Sequence, residues 1–217
     1  MEFVGSRSWR FEESAGDLMP HLALFVRDAL GLPIPAAPEV PPRLLEPPPD
    51  RLDLLSDDER QVAGQDWAQW WTTVLRLPAP SMGADPGQGL EAWRARQESA
   101  GTPPAFEALA DRAALHRAVV QAFPQAHGWV NRLDRGVGGG RTGWFPFELV
   151  RQVAEDVAFD RSVDVGDVRA SAQLLAVEGN WWQLIGPGTA VCSVGAASEP
   201  AVARQVLRQA FVSGLPR

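Results

Sequence analysis

Lysine is missing from all 217 residues, as is tyrosine, and cysteine occurs once, at Cys192. Each gap removes chemistry. Without lysine the chain cannot form a Schiff base to pyridoxal phosphate, and it lacks the phosphate-contacting lysine of phosphate-loop and protein-kinase sites. Arginine supplies all 20 basic residues, and with a pKa above ~12 it cannot replace lysine as a proton shuttle. A single cysteine excludes an internal disulfide and a multi-cysteine zinc site. The three histidines, His21, His116 and His127, share no i, i+4 or short-loop spacing, so no metal site is readable and no cofactor is expected. No apolar run approaches the ~20 residues that span a bilayer, and the start, Met1-Glu-Phe-Val-Gly-Ser-Arg7, does not read as a secretory signal. A cytoplasmic protein without membrane association is the expectation. The formal charge of −7 is uneven, with 19 acids against 12 arginines over residues 1–134 and eight of each over 135–217. No basic stripe stands out, so nucleic acid is not an expected partner.

What the chain does contain is tryptophan, nine of them, three within "QDWAQWWTTVLRL". Ser56-Asp-Asp-Glu59 ahead of this stretch has the spacing of a capping box, which predicts a helix running to Leu77. On its wheel Ala63, Trp67, Trp70, Trp71, Val74 and Leu77 form one stripe, with Gln65, Asp66, Gln69, Thr73 and Arg76 mostly opposite. Each indole can remove ~200 Å² from water, worth ~5 kcal/mol at ~25 cal/mol per Å². Exposing all three would forfeit as much as an ordinary domain's whole stability of ~5–15 kcal/mol. The stripe is therefore expected to point inward.

Around that helix the spacing predicts a first helix from Asp17 to Leu30, stopped by Gly31 and Pro33. Residues 32–49 hold eight prolines from Pro33 on, which predicts an extended, polyproline-like connector lying over the globule, with docking to a partner's aromatic groove as the alternative. A loop is expected over 81–89 and a short helix over Leu90–Ser99. Thr102 and Pro103 predict a helix to Phe123, broken by Pro124 and Gly128. The glycine-rich stretch 135–143 reads as a seam between a helical part, 1–134, and a second part, 144–217. In the latter, Pro146 opens a helix to Phe159 with Phe147, Val150, Val153 and Val157 on its buried side. Three strands follow, over Val168–Val177, Trp181–Ile185 and Thr189–Val194, spaced as an antiparallel meander, and a last helix starts after Ser198. The expected fold class is α+β: a helical N-terminal part packed on a C-terminal α-β-β-β-α unit with a three-stranded antiparallel sheet.

Candidate sites are few. His116 falls on an apolar stripe with Phe106, Leu109, Ala113, Val120 and Phe123, which favours a core histidine over a ligand-binding one. Cys192 and Ser193 lie in "TAVCSVG" on a presumed strand without the strand–turn–helix setting of a nucleophile elbow, so a buried structural thiol is expected. Glu155, Asp156, Asp160, Asp164 and Asp167 read as a charged face paired by nearby arginines rather than as acid/base machinery. In "DRGVGGGRTGW" the phosphate-loop spacing is absent, yet glycine-rich backbone beside Arg132, Arg135, Arg141 and Thr142, with Trp144 adjacent, could hold an anion. Neighbouring Trp181 and Trp182 must face opposite sides of a strand, so one of them lies off the main core, against helices, a partner or a ligand. Three function classes follow. A non-enzymatic protein-interaction or adaptor protein, self-associating or binding another protein, comes first. A small-molecule or anion-binding protein with a site near the glycine-rich loop comes second, and a carboxylate- and histidine-dependent hydrolase or transferase third.

Overall fold

The computed structural model describes residues 8–15, 17–75, 98–137 and 143–216. The expected loop over 81–89, most of the helix from Leu90 and the centre of the glycine-rich stretch lie outside them. The chain divides into two compact units, Gly16–Val137 and a second made of Met1–Ala15 with Gly138–Arg217. No helix among the described residues is long and apolar enough to cross a membrane.

In the helical unit, α1 (Leu18–Ala29), α2 (Asp57–Leu75) and α3 (Ala113–Val137) pack on one another. Helix α1 is buried almost all round, from Met19 to Arg27 and again at Ala29, as befits a helix whose sequence is apolar on nearly every side. It ends where Gly31 takes a φ of +56°, a left-handed value that glycine adopts at little cost. The capping box forms as its spacing predicts. The Ser56 amide donates to Glu59 Oε2 at 2.9 Å, and the Glu59 amide donates to Ser56 Oγ at 3.3 Å. Arg117 on α3 adds a bond to Glu59 Oε1 at 2.6 Å. With Ser56, it pulls the Glu59 carboxyl down to about 2.

The tryptophan stripe faces inward, with Trp67, Trp70 and Trp71 exposed by only 0%, 1% and 2%. Trp67 and Trp71 stack, with ring centroids 5.5 Å apart and planes 7° from parallel. Each indole finds a backbone carbonyl. Trp67 Nε1 donates to Ala23 at 2.7 Å, Trp70 Nε1 to Ala100 at 2.8 Å and Trp71 Nε1 to Glu39 at 3.1 Å. Buried N–H groups must be satisfied, and here the satisfaction also ties three separate segments to one helix.

One of those segments is the proline-rich connector. A proline-rich backbone has few amides to donate, but its carbonyls remain open to donors. Arg27, buried on α1, uses two of them: Nη1 donates to Pro41 O at 2.6 Å and Nη2 to Pro42 O at 2.7 Å. Its Nε donates to Asp28 Oδ1 at 2.7 Å, and its guanidinium lies 5.6 Å from the Trp67 ring centroid. Asp28 in turn accepts the Leu44 amide at 2.8 Å. The connector also lies close on α2, where a Cβ added at Gly64 would meet the Pro33 carbonyl at 2.8 Å. These contacts pack the proline-rich segment on α1 and α2.

The third helix departs from expectation. Residues 102–112 form turns and a short 3-10 stretch (Glu107–Leu109), and α3 starts at Ala113 and runs through both Pro124 and Gly128. An interior proline costs about 3 kcal/mol. That cost is offset by one long buried side: Leu115, Ala118, Val119, Ala122, Ala126, Trp129 and Val130. That side is not the expected stripe: Ala113 and Val120 are exposed and His116 is half-buried.

His21 is buried, its Nδ1 donating to Asp17 O at 2.9 Å and its ring 6.4 Å from that of Trp129. Burial lowers its pKa against the opposing effect of Asp17. The unfolded chain, with a histidine pKa near ~6.5, then binds more protons than the native one just below that pH. Stability is fully present above about pH 6.5 and falls as the pH drops from there toward the lowered native value. Urea midpoints measured between about pH 5.5 and 7.5 should show this loss, and His21→Gln should flatten it.

The second unit corrects the expected sheet. It has four strands rather than three and is mixed rather than antiparallel, in the order β1 (Arg10–Ala15), β2 (Arg169–Leu175), β4 (Thr189–Ser193), β3 (Trp182–Gly186). β1 pairs with β2 in parallel, β2 with β4 in parallel, and only β3 with β4 is antiparallel. The added strand comes from the N-terminus, far from its partner in sequence. Among the described residues the unit also holds helices α4 (Phe147–Arg161), α5 (Val194–Ser198) and α6 (Pro200–Ser213). α6 packs on β2, β3 and β4, and α4 packs on α6. Ala172, Leu174, Ala190, Cys192, Val153, Val157, Val206 and Phe211 are central to the core between them. From Ala172 to Val177 every residue of β2 and its exit is buried, the usual state of a central parallel strand.

Candidate functional site

Most side chains with chemical potential turn out to be engaged in structure. Cys192 is fully buried, and burial pushes its thiol up to about 12. A thiol-specific reagent at pH 8 should leave it unmodified in the native chain and label it once denaturant is added. Ser193 is followed directly by a helix after all, because β4 runs straight into α5. Its φ of −70° and ψ of 155° are those of an N-cap, not of a strained elbow. Its hydroxyl accepts the Ala196 amide at 3.0 Å and donates to Gly179 O at 2.7 Å, so it is held as a cap.

His116 Nε2 donates to the Ala105 carbonyl at 2.7 Å, which ties α3 to the turn before it. His127 is exposed and lies 5.6 Å from the Phe123 ring. Three acids of the cluster pair with arginines, one with Arg151 as expected and two with arginines of α6 rather than with Arg161 or Arg169. Glu155 meets Arg151 at 2.8 Å, Asp160 meets Arg208 at 2.7 Å and Asp156 meets Arg204 at 3.6 Å, while Asp164 accepts the Gly166 amide at 2.7 Å. Among the described residues no group of three or more histidine, cysteine, aspartate or glutamate side chains is placed to hold a metal ion.

Of the residues proposed around the glycine-rich loop, Arg132 is exposed on α3. Arg141, Thr142 and the side chain of Arg135 lie outside the described set. Trp144 is half-buried, and its amide donates to Glu13 Oε1 at 2.7 Å while the Phe145 amide donates to Glu13 Oε2 at 3.2 Å. A carboxylate of the chain itself thus occupies the two amides at the end of that loop. Trp182 lies in β3 opposite Cys192 and packs, half-buried, on the core. Trp181 precedes the strand, half-buried, with its carbonyl accepting the Ser193 amide at 2.8 Å.

The unexplained feature is aromatic and exposed. Phe147, expected on the buried side of α4, is 64% exposed, and Phe159 at the other end of the helix is 85% exposed. Val150, Val153, Ala154, Val157 and Ala158 are what α4 buries, and Phe147, at its first residue, projects beyond that stripe. Its ring lies 5.6 Å from that of Trp9, the residue before β1. Behind this pair Phe11 on β1 makes an edge contact with Phe145 at 5.3 Å and approaches Phe211 at 5.9 Å, which anchors the strand to the core. Trp9 and Phe147 therefore form an aromatic patch beside β1, one of the two outer strands of the sheet among the described residues. Sequence reasoning placed Phe147 on the buried side of its helix, which its 64% exposure corrects, and gave Trp9 no element or role. Burying such a pair against a partner would release apolar surface from water at roughly 25 cal/mol per Å². Comparison with known proteins adds no neighbour: no family model matches the sequence, no curated protein resembles it, and no solved structure shares a recognisable likeness.

Proposed function

We propose that this chain is a non-enzymatic protein-interaction or adaptor protein and that the Trp9–Phe147 patch is its contact surface. The exposure of Phe147 beside Trp9 carries the reading, because a large ring that is 64% exposed next to a second aromatic ring leaves joined apolar surface in water for a partner to cover. Aromatic residues of this kind are enriched among the anchors of protein interfaces. A cytoplasmic setting belongs to the same reading, since the lone thiol is buried and suits a reducing compartment. The test is quantitative. Proteins retained by the immobilised chain, its own copies included, are purified and titrated against wild type and Phe147→Ser, with folding checked by circular dichroism. Binding should weaken by about tenfold or more in the variant. Equal affinities of the two folded proteins for every partner would contradict the reading.

A further inference from the structure

Resting on that reading, we infer that the partner is a second copy of this chain, joined by antiparallel pairing of β1 with β1 about a two-fold axis at Phe11. β1 lies at the end of the strand order, and all six of its residues are half-exposed. The Arg10 amide donates to Val168 O at 3.0 Å, so Arg10 directs its backbone groups at β2. Backbone groups of successive strand residues point to opposite sides, so those of Phe11 and Glu13 aim at the outer edge. An edge of this kind is a template for another strand.

The charges select the register. Centring the axis on Arg10, Glu12 or Glu13 would set that residue against its own copy, like charge on like charge. Centring it on Phe11 sets Arg10 against the partner's Glu12 and Glu12 against the partner's Arg10. It also makes Phe11 with the partner's Phe11, and Trp9 with the partner's Glu13, the hydrogen-bonded pairs. Arg10 and Glu12 then fall in the non-hydrogen-bonded pairs, where side chains approach most closely. Within one chain these two already meet at 2.7 Å, so pairing would close an alternating network of four charges. The same axis brings the two Trp9–Phe147 patches near the joint. A strand of six residues spans only ~20 Å, so the interface is at the small end of specific contacts and association is weak, on the order of micromolar.

Sedimentation equilibrium of the full chain from about 1 µM to 1 mM tests this. Wild type should pass from monomer to dimer. Arg10→Glu and Glu12→Arg should each raise the dissociation constant by about tenfold or more, since each sets like charges together in both pairs. An equimolar mixture of the two variants should recover the dimer, because every cross-strand pair is then of opposite sign. In wild type, amide exchange at Phe11 and Glu13 should slow as concentration rises, a readout that needs no substitution. A wild type that stays monomeric, Phe11 and Glu13 amides indifferent to concentration, or folded variants that fail to recover on mixing would each overturn the pairing. If association persists in both charge variants but is lost in Phe147→Ser, the strand pairing is wrong while the aromatic contact surface stands.

Discussion

Replacing Trp67 with alanine lowers the unfolding free energy by about 4 kcal/mol. The side chain is fully buried, so truncation leaves a cavity the size of an indole in the middle of the helical unit. Three further losses accompany the cavity. The Ala23 carbonyl on α1 loses its donor at 2.7 Å, Trp71 loses its stacking partner at 5.5 Å, and the Arg27 guanidinium loses the ring beneath it. Trp67→Phe should cost less, about 1–2 kcal/mol, because much of the volume and the stack survive while the indole N–H does not. Urea denaturation followed by circular dichroism measures both. Destabilisation by alanine of under about 1 kcal/mol, the range of a surface change, would mean that the stripe is not core.

Arg27→Ala is expected to be as severe, at about 3–5 kcal/mol, but its mark falls on the connector. The two carbonyls of Pro41 and Pro42 lose donors, and Asp28 keeps its charge in a largely buried place without its cation. Because Asp28 also accepts the Leu44 amide, exchange at that amide should rise sharply in the variant. Arg27→Lys should recover little of the loss, since an ammonium cannot fork between two carbonyls and a carboxylate. Continued protection of the Leu44 amide in a folded Arg27→Ala protein would show that the clamp does not hold the connector.

Local chemistry was legible wherever neighbours in sequence are neighbours in space. The Ser56–Glu59 box, the stop at Gly31 and the start of α6 after Ser198 rest on contacts within a few residues, and the tryptophan stripe shows in the helical period even though its partners are distant. Pro124 misled because its penalty is local while the burial that outweighs it runs the length of α3. Strand β1 was invisible for a different reason. Its partner β2 lies more than 150 residues on, and Glu13, on the helix-facing side, breaks the apolar alternation that marks a half-buried strand. That glutamate has a structural use at the Trp144 and Phe145 amides, which only the fold brings near. The meander was misread because β3 and β4 do form a hairpin, whereas β2 and β4 run parallel with β3 displaced to the edge. Trp9 and Phe147 form a patch only once β1 and α4 are placed together, so the candidate surface had no signature in either segment alone.

Hydrogen exchange at the indole N–H groups of Trp67, Trp70 and Trp71, assigned through single tryptophan-to-phenylalanine variants, probes the architecture most directly. With each indole bonded to a buried or half-buried carbonyl of Ala23, Ala100 or Glu39, all three should exchange on the order of a thousandfold more slowly than an exposed indole, Trp71 being the fastest. Exchange of all three within the first moments of transfer to heavy water would place the stripe at the surface and contradict the account.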